Sequence, residues 1–246
     1  MTPQLPTAAI LIIGDEVLSG KIQETNSTFL IRALRERGIG VTEVRIIGDT
    51  VDGIATAVRE LAARVTYLFT TGGIGPTHDD MTLAAVARAF DVGLVQSEVV
   101  VERLRRRHPE AVNAAALKMA EVPQGAWVTL TGEEVVPIIA FQNLFILPGV
   151  PSLMRACFEE LAPALSGAPF VSRALHLIAH ETQIAAILDE AQRRHPEVAI
   201  GSYPRFDTPV YRVKVTVDSR NAKLVDLVIE ELRAALDPAW IVEIRE

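Results

Sequence analysis

The chain has 246 residues, 49% of them hydrophobic, and a formal net charge of −7; the length fits one or two domains, and the apolar content excludes a disordered or low-complexity chain. The acidic balance argues against nucleic acid as a partner, since phosphates need a basic face, and Arg103-Leu104-Arg105-Arg106-Arg107 reads as a single solvated helix face. No apolar run approaches the ~18 residues of a membrane span; with one cysteine, Cys157, and an N-terminus lacking the basic start and apolar stretch of a leader, a cytoplasmic protein off the membrane is expected.

Ala8 to Ile13 is a continuous apolar run of strand length, and Thr25 to Gly38 follows with helical spacing at Phe29, Leu30, Ala33 and Leu34, stopped by Gly38. Val41 to Ile47 predicts a second strand. Ile54, Ala57, Val58, Leu61 and Ala62 predict a second amphipathic helix, and Tyr67 to Thr70 a third strand. This β-α-β-α-β order predicts a parallel sheet with helices on both faces and ligands beyond the carboxyl ends of its strands. Gly14-Asp15-Glu16, Gly48-Asp49 and the stretch Thr70 to Thr82 all fall at those ends. After a helix over Asp80 to Phe90 come helical stretches near Glu98 to Arg107 and Ala111 to Ala120, then apolar runs at Trp127 to Leu130, Val135 to Phe141 and Leu144 to Leu147. A helix near Ser152 to Leu161 follows, with Pro151 suited to its first turn. Pro163 and Ser166-Gly167-Ala168-Pro169 read as a linker, dividing the chain into residues 1–165 and 170–246. The remainder predicts strand Val171 to Ala179, helix Glu181 to Arg194, strands Val198 to Tyr203 and Val210 to Val217, helix Ala222 to Leu236 and strand Ile241 to Ile244. That βαββαβ order resembles a small ferredoxin-like domain.

Two familiar phosphate motifs fail on spacing. Gly14 and Gly20 enclose five residues where a P-loop has four, and Ile22 stands where a Ser or Thr would ligate magnesium. Gly73-Ile74-Gly75-Pro76-Thr77-His78 puts histidine at the third glycine of a dinucleotide fingerprint, which argues against a nicotinamide dehydrogenase. The glycine loop still leaves a strand and enters a helix, so free backbone N–H groups and the positive end of a helix dipole face the crevice. Asp79 as a helix cap and Asp80 as first-turn charge are expected on structural grounds alone. Beside three glycines they point further. A diphosphate about 5 Å from an ionised carboxylate is repelled by roughly 3 kcal/mol per charge pair at an effective dielectric near 20, more than the ~2 kcal/mol that a helix terminus returns. A divalent cation between aspartate and phosphate reverses that sign. Asp79 and Asp80 therefore predict metal-bridged phosphate. Asp15, Glu16 and Asp49, on the same edge, are candidates for further ligands or for orienting water, each with a loop-capping alternative. Such oxygen-rich sites accept magnesium, manganese or cobalt. His78 lies inside the loop, whereas His108, His176, His180 and His195 lack zinc-ligand spacing. Cys157 reads as a small buried residue, and neither Ser19 nor Ser202 stands in a nucleophile elbow.

Gly14 to Gly20, Thr25-Asn26, Gly48-Asp49, Thr71 to Thr82 and Leu147-Pro148-Gly149-Val150-Pro151, in that order, resemble the molybdopterin-binding-like domain. That domain occurs in molybdenum cofactor biosynthesis proteins, in competence/damage-inducible proteins of the CinA type and at the N-terminus of eukaryotic FAD synthase. The likeness covers about residues 8 to 165, and Leu117-Lys118-Met119-Ala120, Val122-Pro123 and Ile200-Gly201-Ser202-Tyr203-Pro204 extend it in the manner of the FAD synthase type. The resemblance implies an α/β fold, a three-layer doubly wound and mostly parallel sheet, followed by a smaller α+β domain of βαββαβ, ferredoxin-like order. It also implies metal-dependent hydrolysis of a nucleotide pyrophosphate, ADP-ribose or FAD, with release of AMP.

On that resemblance Asp79, Asp80 and Asp49 hold the cation, and Gly72, Gly73, Gly75 and Thr77 hold the diphosphate. Lys118 offsets charge on the phosphoryl oxygens as a point charge. Gly14, Asp15, Glu16, Asn26, Thr82, Pro148 and Gly149 complete the ligand site. A homo-oligomer, dimer or trimer, is implied, with a small nucleotide or pterin as ligand. No stretch resembles the nicotinamide-nucleotide deamidase domain of CinA or the adenylyl-transferring domain of FAD synthase, so neither activity is expected. The Gly-Thr-Ala-Pro-Gly segment usual in CinA proteins is replaced near Gly132 to Pro137, which argues against a CinA-like pocket there. Two alternatives stay open: molybdopterin binding or adenylylation, and a non-catalytic nucleotide-binding protein.

Overall fold

Strand β1 (Thr7–Ile13) is buried along nearly its whole length, as an apolar run covered on both faces must be. In the computed structural model, which describes residues 5–107, 110, 112–130, 137–165, 167–207 and 210–245, it lies between β2 (Gly40–Ile47) and β3 (Tyr67–Thr71), parallel to both. Among these described residues the sheet has six strands in the order β2-β1-β3-β8-β7-β6. Of the outer strands, β8 (Leu144–Leu147) is parallel to β3, while β7 (Pro137–Phe141) and β6 (Trp127–Leu130) are added antiparallel. The chain winds outward from β1 to β2 and then crosses back to β3, so the winding direction reverses between β1 and β3. Ligands bind at such a switch point.

Helices sort to the two faces by the period-2 alternation of β1. Ala9, Leu11 and Ile13 pack under α3 (Val51–Ala62) and α4 (Thr82–Ala89), while Ala8, Ile10 and Ile12 pack under α2 (Asn26–Glu36) and α7 (Pro151–Leu161). Cys157 is buried in the second of these layers. This is the expected three-layer, doubly wound arrangement. Among the elements not anticipated are the short helix α1 (Asp15–Leu18) and the paired strands β4 (Leu94–Gln96) and β5 (Glu121–Pro123). They are too short for periodicity to register. Between those strands run α5 (Glu98–Arg107) and α6 (Ala114–Lys118). His108, Ala111, Ser166 and the segment from Gly132 to Val136 lie outside the described residues.

The chain divides into two units, Met1–Gly167 and Ala168–Glu246. In the second, β9 (Val171–Leu177), α8 (Glu181–Arg194), β10 (Ala199–Pro204), β11 (Val213–Ser219), α9 (Ala222–Ala235) and β12 (Ile241–Arg245) form an antiparallel sheet in the order β10-β11-β9-β12. Leu175, Leu177, Val213, Val215 and Val217 pack against Ile184, Leu188, Val225 and Val228 of the two helices. That is the ferredoxin-like order with both helices on one face. Strand β11 begins at Val213 rather than Val210. Among the described residues no helix is long and apolar enough to cross a membrane.

Candidate functional site

Directly after β3, Gly72 and Gly73 adopt φ of +99° and +66°, a region costly to any residue with a Cβ. A Cβ on Gly72 would also strike the Ile13 carbonyl at the end of β1, so glycine here lets the loop cross the neighbouring strand end closely. The Gly72 N–H donates to the Leu147 carbonyl at 3.2 Å. Thr82, fully buried, donates its hydroxyl to the Gly72 carbonyl at 2.8 Å and its N–H to the Gly73 carbonyl at 2.9 Å. Thr82, expected at the ligand, instead ties the loop to α4.

The loop then closes on Asp80. Its Oδ2 accepts from the Thr77 N–H at 2.8 Å and the Thr77 hydroxyl at 2.6 Å, and the Asp80 N–H donates back to the Thr77 carbonyl at 3.3 Å. Helix α4 consequently starts at Thr82 with Met81 at its N-cap and no side-chain cap, so Asp79 does not cap it and Asp80 lies before its first turn. The same bonds occupy the Thr77 donors expected to hold a diphosphate. Lys118, at the end of α6, reaches across to donate its Nζ to the Thr77 carbonyl.

Asp79 is exposed. The adjacent Thr77 side chain is the largest influence holding the Asp79 carboxyl below the ordinary range, followed by the Asp79 backbone N–H and then by His78 and Lys118. Asp49 moves the other way. Burial raises its carboxyl, and the charges of Glu16, Asp15 and Asp79 raise it further, against the Asp15 N–H that donates to its Oδ2 at 2.7 Å. Carboxylates that follow β1, β2 and β3 thus share one edge. Among the described residues no three His, Cys, Asp or Glu side chains gather closely enough to form a metal cage by themselves.

Beside the loop opens a cavity of about 500 Å³. Gly72, Gly73, Ile74, Gly75 and Asp80 form one wall; Ile12, Val17, Ile22 and Leu153 give apolar walls; Glu16, Gln23, Glu24, Asn26 and the stretch Pro148 to Pro151 complete it. Asp15, Asp49, Thr77, Asp79, Lys118 and Gly14 are not among the lining residues. Gly14 instead donates its N–H to the Ile47 carbonyl at 3.0 Å, fastening the end of β1 to that of β2. Glu24 accepts from the Ser27 N–H at 2.8 Å and from the Ser27 hydroxyl, which pins the first turn of α2 and with it Asn26. Asn26 is 6% exposed, and its Nδ2 donates to the Gly149 carbonyl at 2.8 Å and the Thr71 hydroxyl at 3.4 Å. Among the described residues its Oδ1 has no partner. Leaving a buried carbonyl unsatisfied costs about 1–3 kcal/mol.

Thr71, Ile22, Gln23, Met119 and Leu153 line the cavity but were not named as site residues from sequence. Ile22 and Val150 are 57% and 54% exposed in loops, and apolar residues where a loop would ordinarily be polar were the available signal.

Residues 9–167 match the family model described as the probable molybdopterin binding domain, and residues 169–245 match the one described as the middle domain of FAD synthase. A probable FAD synthase of Caenorhabditis elegans is 31% identical across 95% of this chain and 50% of its own length, so the chain spans about half of that relative. A protein of Archaeoglobus fulgidus is 31% identical across 93% of this chain and 97% of its own. Among solved structures, the protein CinA of Thermoplasma acidophilum aligns with a TM-score of 0.62 and 26% identity, covering 65% of this chain and 98% of that one.

Proposed function

The chain belongs to the family of the probable molybdopterin binding domain, with an FAD synthase middle domain after it, and we propose that its first unit hydrolyses a nucleotide pyrophosphate, FAD or ADP-ribose, releasing AMP with the help of a divalent cation. A small nucleotide or pterin is the ligand class that goes with this family. The observation that carries the narrower reading is the pairing of a glycine loop closed on Asp80 with a cavity large enough for a nucleotide, which that loop and Asp80 line.

The donor set fits a hard cation. Asp49, Asp79 and Asp80 offer oxygen, and the carboxylate charges that add to the effect of burial in raising Asp49 are relieved by a positive charge at that edge. One or two carboxylates suffice when phosphate oxygens and water fill the remaining positions, as is usual for magnesium. When bound, the cation supplies charge neutralisation at the diphosphate and makes water easier to deprotonate. The chain's own groups do the rest. Backbone N–H groups of the loop from Gly73 to Gly75 hold phosphate oxygens, and Lys118, already at the Thr77 carbonyl, adds a positive charge beside them. The apolar walls take the base. A homo-oligomer, dimer or trimer, is part of the proposal and is read from sedimentation.

The test incubates the protein with FAD, ADP-ribose and NAD, each with magnesium, manganese or cobalt, and separates the products by chromatography. Metal-dependent AMP release that disappears in Asp80→Ala supports the reading. Absence of turnover by folded wild type sinks it in favour of pterin binding or adenylylation, the second reading, which the family description itself favours, or of nucleotide binding without catalysis.

A further inference from the structure

We infer that Asn26 reads a sugar hydroxyl of the bound nucleotide, so that this site selects ribonucleotides over their deoxy counterparts. The inference rests on the nucleotide reading of the cavity. Three observations lead to it. First, the amide orientation is fixed: Nδ2 is held by the Gly149 carbonyl and the Thr71 hydroxyl, so the side chain cannot flip without losing both. Second, what remains is Oδ1, a buried acceptor with no partner among the described residues, on a side chain that is 6% exposed and belongs to the cavity lining. An amide oxygen refuses phosphate and carbonyl oxygens and takes an O–H or N–H donor or a cation, and for a cation the ionised carboxylates of Asp49, Asp79 and Asp80 are the stronger ligands. Third, its position is intermediate. Thr71 immediately precedes Gly72, and Gly149 lies against Gly72, so Asn26 stands at the foot of the phosphate loop, while Ile12, Val17, Ile22 and Leu153 offer the cavity's apolar surface. In a nucleotide, what joins phosphate to base is the sugar, and its donors are hydroxyls. Glu24, by holding Ser27, fixes the helix turn that aims Asn26.

The experiment measures dissociation constants of AMP, 2′-deoxy-AMP and 3′-deoxy-AMP by titration calorimetry, first with unaltered protein and then with Asn26→Ala. One deoxy analogue is expected to bind unaltered protein about three- to tenfold more weakly than AMP, the range of one neutral hydrogen bond. In Asn26→Ala the affinity for AMP falls to that of this analogue, whose own affinity is unchanged. Equal affinities for all three ligands in the unaltered protein overturn the inference without any variant having to fold. So does discrimination that persists in Asn26→Ala, an equal loss for all three ligands, or a folded wild type that does not bind AMP. Hydroxyl discrimination without turnover of FAD or ADP-ribose would sink the hydrolase reading and leave this inference standing; turnover without discrimination would do the reverse.

Discussion

In the first unit the carboxylates after β1, β2 and β3 meet as like charges, whereas in the second unit polar side chains meet as partners. Asp49 is raised by burial and by Glu16, Asp15 and Asp79. In the second unit, Arg205 holds Asp207 through two bonds of 2.7 and 2.6 Å, the Ser202 hydroxyl donates to Glu181 at 2.6 Å, and His195 lies 3.0 Å from Glu231. The backbone differs likewise: the loop of the first unit needs two left-handed glycines, and Gly201 in β10 has ordinary strand geometry. Unrelieved like charge persists where something else compensates it, and a bound ligand is the common compensation at a site of function. On the proposed reading, ligand chemistry belongs to the first unit.

The largest expected effect breaks the comparison if it fails. Asp80→Asn keeps an acceptor for Thr77 but removes the charge, and kcat/KM for AMP release should fall about a hundredfold or more with little change in melting temperature. Glu181→Gln in the second unit, which also keeps an acceptor, should leave turnover within about twofold. Comparable losses in both would dissolve the distinction. Next come the glycines. Gly72→Ala meets both a left-handed φ and the Ile13 carbonyl and should cost about 2 kcal/mol or more, whereas Gly201→Ala presses only on the half-exposed Tyr203 ring, which can swing away, and should stay within about 0.5 kcal/mol by denaturant unfolding.

A smaller effect has the opposite sign. Asp49→Asn removes a partly buried charge among carboxylates while keeping an acceptor for the Asp15 N–H, so the protein should melt at a higher temperature at pH 7 while losing activity. The smallest is spectroscopic. In a carboxyl chemical-shift titration Asp207 should ionise below the ordinary aspartate value of about 3.9 and Asp49 above it. The Arg205 hydrogen bond lowers Asp207; burial raises Asp49. The signs follow from linkage: stability from Asp207 is present above the ordinary value and lost as pH falls through its lowered one. The relative stability that Asp49 confers while neutral is present below the ordinary value and lost as pH rises through its raised one. The reverse order of titration would contradict both assignments of cause.

Much of this architecture is legible in particular residues. The apolar run from Ala8 to Ile13 reads as a buried central strand because both its faces are covered, and Pro151 reads as a helix start because its missing N–H costs nothing there. The start of α4 was misread because Asp79 and Asp80 look like cap and first-turn charge, and only the loop's own closure turns Asp80 back onto Thr77. The short strands β4 and β5 carry too few residues for any period to show.

By itself the sequence determined the alternation of strands and helices, the glycine loop, and the convergence of three acidic segments on one sheet edge, because period, turn chemistry and parallel connectivity are local or topological properties. Only the tertiary structure decided which groups meet there: the Asp15 N–H with Asp49, Lys118 with the Thr77 carbonyl, and Asn26 with Gly149, pairs separated by 34, 41 and 123 residues. Those bonds depend on distances and orientations that no local pattern encodes, and they choose which buried acceptors are satisfied within the described residues and which, Asn26 Oδ1 among them, are not.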